Sequence, residues 1–115
     1  MIENIDILYD KEGDILEFKF NNLKPTIGIE LNQNIILHYN QEKNVPVRIM
    51  FTCYSNLIKL KSIELSGLNE IESDKRNQVL ELLRSNPLNK LLHLYSKEYR
   101  FNFLNPEINQ LLMVA

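Results

Sequence analysis

At 115 residues, with 44% hydrophobic and 24% charged content, the chain has the make-up of one ordinary globular domain able to bury roughly two-thirds of its unfolded surface. A formal charge of −2 gives phosphate no general attraction, which argues against non-specific nucleic-acid binding. The single cysteine, Cys53, excludes an internal disulfide framework, and no Cys/His cluster points to structural zinc.

The opening "MIENIDILYD" has no basic head followed by an apolar run, and no apolar stretch reaches the length of a bilayer span. A cytoplasmic chain without a signal peptide is the expectation. Apolar alternation predicts strands over 5–9 and 15–20, with Leu16, Phe18 and Phe20 on one side and Glu17 and Lys19 on the other. "DKEG" supplies the hairpin turn between them. Asp10 is expected to accept a hydrogen bond from the backbone two residues on, Gly13 to take a positive φ, and Glu12 and Asp14 to be solvated rim residues.

Ile27, Ile29 and Leu31 alternate with Gly28 and Glu30 in a third strand. "NIILHYN" and "VPVRIMFTCY" follow, joined by the polar turn "NQEKN". Both carry apolar residues on two faces, which predicts central strands covered twice. One cover is assigned to the chain's own helices and the other to a second subunit. Cys53 shares the parity of Val47, Ile49 and Phe51 and is expected in the core.

From Ser73, read as an N-cap, the period turns helical, with Val79, Leu82 and Leu83 on one face. Asn86–Pro87 signals a second helix, with Leu88, Leu91, Leu92 and Tyr95 at helical spacing. "EYRFNFL" predicts a strand near 98–104, and Asn105–Pro106 opens a last helix bearing Ile108, Leu111 and Leu112. The expected fold class is α+β. An antiparallel sheet of about five to six strands carries two to three short C-terminal helices, in one domain with a β-rich half (1–60) and a helical half (61–115).

Little of this resembles chemistry. Asp10, Glu12 and Asp14 lack the further oxygen ligands and spaced bidentate acid of a calcium loop. Cys53 with His38 or His93 would need an ionisable thiol, and an apolar strand opposes that. The two histidines form no i, i+4 metal pair. Three glycines, at 13, 28 and 67, cannot build a phosphate loop. No catalytic residue, cofactor site or metal site is assigned, and the chain reads as a binding protein rather than an enzyme.

"YDKEGDILEF" resembles the opening of a short prokaryotic family known as domain of unknown function twenty-two eighty-three. The matching positions are Tyr9, Asp10, Glu12, Asp14, Leu16 and Phe18. "NIILHYNQEKNVPVRIMF" is similar to that family's later pair of apolar strands around an acidic turn. The chain departs from the pattern at His38 and Asn40, where acids are usual, and in "LNQN", where the family tends to have glycine. The resemblance covers about the first half. It implies a small β-rich domain that acts as the antitoxin of a small RNA-cleaving toxin, and it supplies no catalytic residue.

The leading expectation is therefore a dimeric protein-binding domain, with Asp10, Glu12, Asp14 and Glu17 facing a small basic partner. Two alternatives stand beside it. One is a small-molecule module or cryptic enzyme with a pocket between sheet and helices, using His38, Tyr39 and Arg48. The other is a DNA-binding autorepressor acting through a helix-turn-helix over 74–95, which the leucine-rich second helix and the net charge oppose.

Overall fold

The computed structural model describes residues 5–60, 62–86, 88–95 and 99–103. The fold is α+β, with a five-stranded antiparallel sheet and two short helices packed on it. The strands are β1 (Asp6–Asp10), β2 (Ile15–Lys19), β3 (Ile27–Asn32), β4 (Ile35–Asn40) and β5 (Val45–Thr52), in spatial order β1-β2-β5-β4-β3. The β1–β2 hairpin thus lies against β5, and β3 and β1 are the two edges.

Strand alternation sends Leu16, Phe18, Leu37, Tyr39, Ile49 and Phe51 to one face, all fully buried. Their cover comes from the second half of the chain. Helix α1 (Tyr54–Leu57) follows β5 directly, and α2 (Ser73–Arg84) buries Val79, Leu80, Leu82 and Leu83 in the same core. A second antiparallel sheet completes the layer, built from β6 (Ile63–Glu64), β8 (Arg100–Phe103) and β7 (Leu92–Tyr95) in the order β6-β8-β7. Aromatic rings stitch the layers together. Phe51 meets Phe18 at 5.9 Å, Phe101 at 6.2 Å and Phe103 at 5.1 Å between centroids.

The edge of β3 is closed by the 3-10 segment Ser66–Glu70, whose backbone comes so near that a Cβ on Gly67 would collide with the Glu30 carbonyl oxygen. Arg76 of α2 holds that segment in place. Its Nε donates to the Leu68 carbonyl at 2.6 Å and its guanidinium to the Ile71 carbonyl at 2.9 Å.

Several sequence expectations are corrected. Residues 88–95 are not a helix: Leu88–Lys90 is one 3-10 turn, and Leu92–Tyr95 is a strand paired with β8. The alternation Leu92/Leu94 against His93/Tyr95 fits a strand as well as a helix, and pairing with β8 decides it. A helix-turn-helix over 74–95 accordingly has no second helix. Cys53 is exposed, because the chain leaves β5 at this residue in a left-handed conformation (φ 51°) and turns into α1.

In the first turn, Asp14 rather than Gly13 takes the positive φ (55°), and the Asp10 carboxylate accepts from the Gly13 amide, three residues on. Ser73 is the first residue of α2 and not its cap, which falls on Glu72 without a side-chain bond. The expected helix over Asn105–Leu112 lies outside the described residues.

Candidate functional site

Opposite the core, the five-stranded sheet presents a second face with no layer over it among the described residues. Register defines two rows across it. One runs Leu8, Glu17, Met50, Ile36, Glu30, and the next runs Asp6, Lys19, Arg48, His38, Gly28. Ile36 and Met50 are half-buried by their neighbours, whereas Leu8 on the edge strand is 56% exposed. The face is therefore apolar at its middle and charged around it, with Asp6, Glu17 and Glu30 against Lys19 and Arg48.

The Arg48–His38 contact depends on a β-bulge. Asn40 pairs with Val45 and Tyr39 with Pro46, so an unbroken register would set Val47 opposite His38. One extra residue on β5 shifts the pairing to His38–Arg48. Pro46 is the sequence signal for this irregularity, since proline within a strand marks an edge or a bulge. Arg48 Nε donates to His38 Nδ1 at 3.4 Å, and its guanidinium lies 4.0 Å from the Glu17 carboxylate.

Burial and then the Arg48 charge hold the His38 imidazole below its ordinary pKa, outweighing the opposite pull of Glu17. His38 is neutral at pH 7, accepting at Nδ1, and its ring lies over Gly28, where a Cβ would stand 3.0 Å from it.

Of the three polar groups considered for a pocket, the sheet brings His38 and Arg48 together and separates Tyr39. Tyr39 points into the core, where burial raises its pKa and its hydroxyl has no hydrogen-bond partner among the described residues.

The four acids also divide. Asp10 and Glu12 are exposed at the β1–β2 turn. Glu17 lies within the open face with its side chain 18% exposed. Asp14 is bound internally: its carboxylate accepts from the Tyr9 hydroxyl at 2.8 Å, the Ser55 hydroxyl at 2.6 Å and the Ser55 amide at 3.1 Å. Its carbonyl accepts from the Tyr54 amide at 3.1 Å. The Ser55 hydroxyl above all, with Tyr9 and the Ser55 amide, holds the Asp14 carboxyl below the usual range against the effect of burial. Nothing in the sequence announced Ser55, 41 residues away.

Among the described residues, no three His, Cys, Asp or Glu side chains stand together as a possible metal site, and no helix is long and apolar enough to cross a membrane. No family model, curated protein or solved structure matches the chain.

Proposed function

We propose that the domain is a non-catalytic module that docks a basic protein partner on the open face of its five-stranded sheet. The observation that carries this reading is the composition of that face, where Leu8, Met50 and Ile36 sit among acids that outnumber the bases. An apolar centre with a charged rim is how protein interfaces are built, and the acidic balance favours a basic partner. Asp10 and Glu12 at the neighbouring turn extend the same charge. Neutralisation of a small RNA-cleaving toxin in the cytoplasm, which the resemblance of the first half implies, is the specific form of this proposal.

Affinity capture with the tagged chain, followed by native mass spectrometry, tests it. The expected result is a stoichiometric basic protein that is retained by the wild type and lost with Met50→Lys or with Glu17→Lys/Glu30→Lys. A partner that survives both variants, or a homodimer abolished by Met50→Lys with no second protein, would overturn the reading.

A further inference from the structure

At one end of the molecule the β3–β4 turn, the segment after α1, β6 and β8 enclose a groove of about 410 Å³. This falls within the roughly 300–1,000 Å³ typical of small-ligand sites. It lies apart from the docking face and has its own polar architecture. Arg100 of β8 is set by two bonds to Ser62, Nε to the hydroxyl at 2.8 Å and the guanidinium to the carbonyl at 3.5 Å. Glu64 of β6, directly across from Arg100 in the pairing register, lies 4.0 Å from it, so neither charge fully satisfies the other. Both remain open, with side chains 35% and 57% exposed.

The facing wall is fixed as well. Asn32 donates to the Glu64 carbonyl at 2.9 Å and accepts from the Asn34 amide at 2.7 Å, which ties the β3–β4 turn to β6. Gln33 at the exposed tip of that turn also lines the groove. Leu57 and Leu60 supply an apolar flank, and Leu60 is 54% exposed, a large aliphatic surface that the fold leaves unburied.

We infer that this groove binds a small zwitterion of the amino-acid class, its carboxylate on Arg100, its ammonium on Glu64 and its side chain along Leu57 and Leu60. A guanidinium beside a loosely held carboxylate matches a ligand that carries an ammonium and a carboxylate on the same carbon. A simple anion would meet Glu64 as a repulsive neighbour. A sugar would find no aromatic ring to stack on among the described residues that line the groove.

Titration of the isotope-labelled whole chain with L-leucine and L-glutamine, read by amide chemical shifts, tests the assignment. Saturable shifts are expected at residues 32–34, 57–60, 62–66 and 100. N-acetyl-leucine, without the ammonium, and leucinamide, without the carboxylate, should each bind at least about tenfold more weakly. Glu64→Gln should weaken leucine by a similar factor and strengthen N-acetyl-leucine, whose carboxylate then loses a repulsive neighbour. Equal binding of the blocked analogues, saturation by inorganic phosphate or glucose instead, or no shift with either amino acid would each overturn it.

Discussion

The five-stranded sheet has two faces made by the same strands, and they have opposite fates. On one, Phe18, Leu37, Ile49 and Phe51 are sealed under α2 and the small sheet. On the other, Met50 and Ile36 are half-buried by neighbouring side chains alone, with charges at their flanks. The difference lies in which parity the second half of the chain covers. Stability is concentrated under that cover, and the open face contributes less to it.

Adjacent residues of β5 sharpen the contrast most. Phe51→Ala removes a fully buried ring with three aromatic neighbours and should cost about 3–5 kcal/mol in urea denaturation. Met50→Ala, one residue away and on the open face, should cost less than about 1 kcal/mol. Comparable losses, with the Met50 effect growing at higher protein concentration, would mean that a second copy covers the face.

A smaller effect is expected at the boundary between the two faces. Asp14 links Tyr9 of β1 to Ser55 of α1, and Asn tolerates the same left-handed backbone while lacking the charge. Asp14→Asn should lower stability by about 1 kcal/mol at pH 7, a figure discounted for the site's access to water. Because the folded carboxyl titrates below its unfolded value, this contribution is complete above about pH 4. It is lost as the pH falls through the folded pKa. Denaturation curves of wild type and variant should therefore converge in acid, and parallel curves would show that charge is not what the clamp uses.

Alternation made the five strands legible, because a half-buried strand writes its two faces into every second residue. His38 and Arg48 were named together as polar candidates, but neither the bulge at Pro46 that sets them opposite each other nor their place on the face away from the helices was legible. What alternation cannot encode is partner choice: that β2 lies on β5 follows from contacts distant in sequence, whereas Leu92–Tyr95 was misread because its short apolar run fits either period until the nearby β8 pairs with it. Cys53 was misplaced for a related reason. Its parity continued the core pattern, but the chain had already turned. The groove at Arg100 was invisible because its walls come from three separate regions, each with polar residues unremarkable on its own.

The smallest effect separates His38 from Tyr39, neighbours on β4 that face opposite ways. Burial favours the neutral form of both, so the phenol of Tyr39 is pushed up and the imidazole of His38 down. For His38 the unfolded chain takes up its proton first, near the ordinary value of about 6.5. Stability contributed by keeping the ring neutral is therefore complete above that pH and declines below it until the folded ring also protonates. The loss should be under about 1 kcal/mol, since the site is partly open to water. His38→Gln should remove this part of the slope between pH 7 and 5. Arg48→Gln should raise the His38 pKa in a ring-proton NMR titration by removing a nearby positive charge. A His38 ring that titrates at or above its ordinary value would show that a covered environment is absent, and that the open face is wetter than the register of its side chains implies.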